Sequence, residues 1–252
     1  MKEVRFFYTP EPEAGQLPTD EAQHALRVLR LQMGDEIHLM DGTGGFYRAV
    51  ITEATGHHCR YRIEECEPQQ PEWTGMIHLA VAPTKNMDRM EWLAEKATEV
   101  GLDRLSLLDC RFSERRVVKT DRLDKILVSA MKQSHKAWKP VLEEMMPFQK
   151  FIQRTDLPEQ RFIAHCHADA CSEHSAPSLI GRAGGESAPF LLDLLQPQTP
   201  ALVLIGPEGD FSIDEVRAAE AAGFRSVSLG TSRLRTETAA LVAVHLMRLA
   251  NR

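Results

Sequence analysis

Residues 202–240 read LVLIGPEGDFSIDEVRAAEAAGFRSVSLGTSRLRTETAA. Two short apolar runs, Leu202–Ile205 and Val227–Leu229, have the length of buried strands, and each leads into a glycine. Gly206-Pro207-Glu208-Gly209 is a tight turn whose glycines let backbone N–H groups come close to a ligand. Ser212 and Glu215 form a capping-box pattern that opens a helix, and Gly223 closes it. After the second run, Gly230 to Arg235 is an irregular loop with two arginines, and Thr236 starts an apolar-periodic helix reaching about Arg248. The order is strand, loop, helix, strand, loop, helix. In parallel α/β sheets ligands bind where loops leave the carboxyl ends of strands, so the two loops are expected to build one site.

Working outward, strand and helix patterns alternate from Trp73 onward, which predicts βαβ units and a mainly parallel sheet. Ile77–Ala82 is the first strand, and Lys85, Asn86 and Arg89 follow it at the ligand-binding edge. Met87–Val100 carries a helical apolar stripe that Gly101 ends. Leu105–Leu108 is a strand, Leu123 to Trp138 a helix, Phe162–Ala164 a third strand, and Asp169–Ser187 a loop. Before this region, Val4–Tyr8, Glu36–Met40, Phe46–Thr52 and Cys59–Glu64 read as strands of a small β domain. A helix is expected from Thr19 to Leu31, capped by Thr19 or Asp20. Asp41-Gly-Thr-Gly-Gly45 is followed by a strand pattern rather than a helix, so it reads as a hairpin turn and not a dinucleotide loop. Pro68-Gln-Gln-Pro71 is the linker, which sets domains at 1–70 and 73–252.

These residues carry a resemblance. Leu204-Ile-Gly-Pro-Glu-Gly209, Leu229-Gly230 and Leu234-Arg-Thr-Glu-Thr-Ala239 match, as do Pro83-Thr-Lys-Asn-Met-Asp-Arg89, Glu95-Lys-Ala-Thr-Glu99 and Ser113-Glu-Arg115. In this order, they resemble the SPOUT class of RNA methyltransferases, and within it the family that methylates N3 of a uridine in 16S ribosomal RNA. Asp210 stands where that family usually has glycine, and Thr231-Ser232-Arg233 replaces a Pro-Arg-aliphatic run. The resemblance implies an α/β fold: a trefoil-knotted, parallel-sheet methyltransferase domain preceded by a small PUA-like β-barrel. It also implies S-adenosyl-L-methionine as cofactor, 16S RNA or the small ribosomal subunit as partner, and a homodimer.

The resemblance places the cofactor on Leu204, Ile205, Gly206, Pro207, Glu208, Gly209, Leu229, Gly230, Ser232, Leu234, Thr236 and Thr238. Arg235 is the candidate for stabilising a uracil anion, and Glu237 and Glu208 are candidates for a base or for orienting the substrate. Glu208 is equally a cap for backbone N–H groups at the next helix. Arg5, Arg27, Arg30, Lys85, Arg89, Arg115 and Arg116 are candidates for RNA contact. Arg27 and Arg30 read otherwise as ordinary exposed helix residues.

Composition bounds the remaining classes. The 252 residues are 43% hydrophobic and 26% charged, with five cysteines and a net charge of −6. There is no apolar run of membrane-span length and no signal-peptide pattern, and the odd cysteine count argues against a disulfide framework; a cytoplasmic protein is expected. Met1–Glu67 holds seven bases against twelve acids, whereas Arg104–Lys139 holds ten against four. That second stretch is either a solvated helix face or a phosphate-tracking surface. The cluster His165-Cys166-His167, Asp169, Cys171 and His174 has no standard zinc spacing and reads as a strand end and polar loop, so no metal is expected. Trp92 and Trp138 read as core or interface residues, and His245 as structural. Two other function classes stay open: a nucleotide-binding enzyme using Gly206–Gly209, though without the Lys-Ser/Thr of a P-loop, and a non-catalytic ribosome-assembly protein. A SPOUT methyltransferase acting on another base is a further alternative.

Overall fold

A computed structural model describes residues 6–56, 58–167 and 188–252. The chain divides into two compact units, Met1–Glu72 with Leu127–Lys139, and Trp73–Ile126 with Pro140–Arg252. Arg5 and the stretch from Asp169 to Ser187 lie outside the described residues.

In the first unit, β1 (Phe6–Tyr8), β2 (Glu36–Met40), β3 (Gly45–Thr55) and β4 (His58–Pro68) form a sheet in that order. β1 runs parallel to β2, and the β2–β3 and β3–β4 pairs are antiparallel. Gln16 bridges Arg60 on β4. Alternation buries Ile37, Leu39, Ala49, Ile51, Cys59 and Tyr61 around Phe7, Leu17, Ala22 and Ala25. The Asp41–Gly44 segment is the β2–β3 hairpin turn. Asp41 holds it by accepting from the amides of Thr43 and Gly45 and from the Tyr47 hydroxyl. Burial alone would raise that carboxyl's pKa, but these donors hold it below the usual range. The helix expected from Thr19 to Leu31 is α1 (Thr19–Gln23), which passes into a π-helical turn at His24–Val28. Neither Thr19 nor Asp20 caps it: Pro18 is the N-cap residue, with no side-chain bond, and Thr19 is already helical.

In the second unit, every residue of β5 (Ile77–Val81) is buried, as befits a parallel strand covered on both faces. α2 (Met87–Val100) follows; Asn86 caps its start, and Gly101 ends it at φ 129°. β6 (Arg104–Asp109) comes next, then α3 (Thr120–Gln133), whose residues divide between the two units. α3 stops short of Trp138 because His135 turns the backbone to φ 53°. Trp92 and Trp138 are both 43% exposed, so neither is a core residue.

The chain continues through β7 (Val141–Leu142), β8 (Met146–Pro147), α4 (Phe148–Phe151), β9 (Gln160–Ala164) and α5 (Leu191–Leu194). It ends with β10 (Ala201–Ile205), α6 (Ile213–Ala221), β11 (Arg225–Val227) and α7 (Thr236–Ala250). Among the described residues the sheet order is β11-β9-β10-β5-β6-β7, all parallel. α7 packs back on β5, β10 and α2. The expected strand Val227–Leu229 is displaced: β11 ends at Val227 opposite Ala164, and Ser228 bridges Phe190 instead.

The basic stretch from Arg104 to Lys139 is largely answered by acids from distant parts of the sequence. Arg104 pairs with Glu143, Arg111 with Asp214, Arg122 with Glu91 and Lys132 with Glu21. Its local excess of positive charge is therefore much smaller in space than along the chain.

Candidate active site

β10 lies between β9 and β5, and β11 lies beyond β9, so the loops leaving β9, β10 and β11 meet at the carboxyl edge of the sheet. There they enclose a cleft of about 260 Å³. Ile205, Gly206, Pro207 and Glu208 form one wall; Leu229, Gly230, Ser232, Leu234, Arg235 and Thr236 form another. Backbone geometry explains both glycines at the loop starts. A Cβ on Gly206 would press within 3.0 Å of the Phe211 amide nitrogen, and Gly230 has φ 124° with nothing near its missing Cβ.

Four of the residues expected to hold the cofactor or act in catalysis do not line the cleft. Leu204 points into the hydrophobic core with Phe211 and Val216. Gly209 lies beneath Phe112, whose Cβ is 3.3 Å from where a Gly209 Cβ would be. Thr238 is on α7 beyond the wall. Glu237 is buried behind it, with one oxygen 3.7 Å from Nε of Arg89 and the other without a hydrogen-bond partner. Arg89, expected among the RNA contacts, itself lines the cleft.

Glu208 does not cap the following helix. That role belongs to Ser212 and Glu215, which form the expected capping box. Glu208 accepts a hydrogen bond from the Lys85 amide at 2.9 Å and so ties the loop after β10 to the loop after β5. Arg115 donates to the Lys85 carbonyl at 2.8 Å, and Lys85 Nζ pairs with Glu114. Arg116 pairs with Asp109 and donates to the Arg111 carbonyl. Arg27 and Arg30 are exposed in the first unit.

The end of β9 contributes residues that sequence reading did not assign to the site. Ala164, His165 and Cys166 line the cleft together with Asp210, Ser228, Arg233 and Ala239. Only the strand order brings β9 beside β10, and no local pattern reports that. The His165 ring bonds Ser226 Oγ at 2.9 Å and receives the His167 amide on Nδ1; His167 Nε2 sits 2.6 Å from the Phe211 carbonyl. Burial lowers the His165 pKa, which favours the neutral ring that accepts this bond. Both rings are thus engaged in holding loops, and no group of three potential ligands for a metal occurs among the described residues. Cys171 and His174 lie outside them.

Asp210 explains itself in this setting. Its backbone is left-handed, φ 66°, a conformation that Asp tolerates better than most residues and glycine best of all. Its carboxylate accepts from the amides of Cys166 and Phe211.

This parallel sheet, with its cleft built from the loops of adjacent strands and a long helix returning onto the central strands, is the fold of a SPOUT-class methyltransferase, as the similar proteins show. A family model for an RNA methyltransferase domain matches residues 71–248, and one for an RNA methyltransferase PUA domain matches residues 17–64. The chain belongs to this RNA methyltransferase family. A probable rRNA-methyltransferase from Porphyromonas gingivalis is 42% identical in structure-based alignment, with a TM-score of 0.85, covering 98% of this chain and 99% of that one. The ribosomal RNA small subunit methyltransferase E of Neisseria gonorrhoeae, solved bound to S-adenosyl methionine, is 25% identical at a TM-score of 0.81, covering 99% and 98%. The Rickettsia conorii protein named ribosomal RNA small subunit methyltransferase E is 26% identical over 93% of this chain and 89% of its own.

Proposed function

We propose that this protein transfers a methyl group from S-adenosyl-L-methionine to N3 of a uridine in 16S ribosomal RNA, presented as part of the assembled small subunit. The observation that carries the reading is the cleft itself, with Arg235 at the start of α7 beside two glycine-opened loops. Its donor set suits the cofactor. Ile205, Val227, Leu229 and Leu234 offer apolar wall for an adenine, and the Gly206 and Gly230 loops offer accessible backbone. Arg233 suits a carboxylate, and Asp210 suits an ammonium. When bound, S-adenosylmethionine supplies an electrophilic methyl on a positively charged sulfur.

The residues of the chain have three tasks. They must admit an unpaired or flipped base, because N3 is hidden in a pair. They must favour loss of the N3 proton, because the lone pair is otherwise delocalised into two carbonyls. They must also stabilise the resulting anion. Arg235 sits at the N-cap of α7, which no side chain caps, so guanidinium and helix N-terminus together suit a negative O2 or O4. Glu208 is exposed at the cleft rim and is the candidate proton acceptor or orienting group for an incoming base. Glu237, buried behind the wall, acts through Arg89 as a positioning residue.

The same reading takes in a cytoplasmic homodimer, a PUA-like domain over residues 1–70, a methyltransferase domain over 73–252 and a trefoil knot near α7. RNA contact would come from Arg5, Arg27, Arg30, Lys85, Arg115 and Arg116.

The test uses purified protein, labelled S-adenosylmethionine, and small subunits from cells lacking the activity, with naked 16S RNA in parallel and digestion to nucleosides. N3-methyluridine is the expected product. Label on another nucleoside would overturn the base assignment, and cofactor binding without transfer would favour an assembly protein.

A further inference from the structure

Phe112 is half in solvent, at 50% exposure, in a position that its surroundings hold firmly. It stands in a tight turn after β6. Ser113 N–H donates to the Cys110 carbonyl at 3.1 Å, and Ser113 Oγ accepts from the Cys110 amide at 3.0 Å. The Arg111 guanidinium lies 5.9 Å from the ring centroid. The base of the side chain rests over Gly209, next to cleft-lining Glu208. From Glu208 the rim continues to the Lys85 amide, and from the Lys85 carbonyl to Arg115. An exposed aromatic ring in a hydrogen-bonded turn, with one guanidinium beside it, thus stands next to the loop that walls the cleft.

Half of the side chain stays in solvent, and a glycine rather than a larger residue lies beneath its base. An exposed ring beside a guanidinium suits an unpaired base, whose face stacks on the ring while its phosphate meets nearby cations. A nucleotide whose own base enters the cleft leaves its neighbour at the rim. We infer that Phe112 is a stacking platform for the base flanking the methylated one, with Arg111, Arg115 and Lys85 as the phosphate contacts, Arg111 and Lys85 exchanging their solvent-exposed partners Asp214 and Glu114 for phosphate. This rests on the RNA-methylation reading above. The turn pre-pays the ordering that stacking needs.

The test compares Phe112→Leu, Phe112→Ala and Phe112→Trp in the full chain. It measures affinity for unmodified small subunits, affinity for S-adenosylmethionine, and self-association. Leu and Ala are expected to weaken subunit binding about ten-fold, with Trp restoring it and cofactor affinity unchanged. Leucine keeps the apolar bulk without the π face, so a Leu variant that binds subunits like the wild type overturns the inference. So does a variant whose only change is weaker self-association, which would make the ring a contact between copies, or only weaker cofactor binding, which would make it a brace for the cleft loop. Wild-type protein that methylates no ribosomal RNA would instead overturn the functional reading, and this inference with it.

Discussion

Asp210 accepts a hydrogen bond from the Cys166 amide at 2.8 Å, joining the loop after β10 to the end of β9 while its own backbone sits at φ 66°. The two features oppose each other energetically. Left-handed backbone costs about 1–2 kcal/mol for a residue with a Cβ, and hydrogen bonds to a charged acceptor contribute about 1.5–3 kcal/mol. Asp210→Gly removes the cost and the bonds together, whereas Asp210→Ala keeps the cost and loses the bonds. Chemical denaturation should therefore find the Ala variant less stable than the Gly variant by about 1 kcal/mol. Equal stability would mean that the loop relaxes out of the left-handed region.

Arg235 is both exposed and part of the cleft wall. Its replacement by alanine should abolish methyl transfer and leave S-adenosylmethionine binding largely intact, read by transfer assay and calorimetry. Loss of cofactor binding would reassign Arg235 to the cofactor's carboxylate.

Arg89 and Glu237 should behave as a coupled pair. Removing Arg89 leaves a buried carboxylate without its cation, so Arg89→Met should cost more than the double variant Arg89→Met/Glu237→Gln relative to Glu237→Gln alone. Because Arg89 is 39% exposed, solvent screening reduces the expected coupling to about 1 kcal/mol. A double-mutant cycle on unfolding free energy measures it, and additive effects would show that the pair is independent.

His78, which does not line the cleft, sets a pH dependence of stability. It is fully buried in β5, bonded to Ser106 Oγ at 2.7 Å, with Nδ1 unpartnered. Burial pushes its pKa down from 6.5 to about 3, and Glu143 opposes the shift only in part. The unfolded chain therefore binds this proton first as pH falls. The contribution to stability is complete above pH 6.5 and is lost progressively toward pH 3. Inside that window the slope approaches about 1.4 kcal/mol per pH unit. Unfolding of the wild type and of His78→Gln, measured between about pH 7 and 5, should show a shallower slope in the variant. Parallel slopes would mean that the ring takes up its proton in the folded state.

Periodicity and turn chemistry located most of the second unit. Met87–Val100 and the Ser212/Glu215 capping box are where the local pattern puts them, because caps and stripes are interactions within one turn of helix. The hairpin at Asp41 was legible for the same reason. The π-helical turn at His24–Val28 and the end of β11 at Val227 were not, since packing and a bridge to Phe190 decide them.

The cleft divides along the same line. The sequence by itself determined that a glycine-opened loop follows the apolar strand at Leu202–Ile205 and that a second glycine-containing loop leads into α7, and its ordered motifs identified the family. Strand order required the tertiary structure: β10 enters between β5 and β9, and this brings His165 and Cys166 to the cleft while sending the Leu204 side chain into the core. Charge shows the contrast most plainly. Ten bases between Arg104 and Lys139 are a property of the chain, but Glu21, Glu91, Glu143 and Asp214 answer four of them only after folding. Electrostatic energy depends on distance through space, which separation along the sequence does not specify.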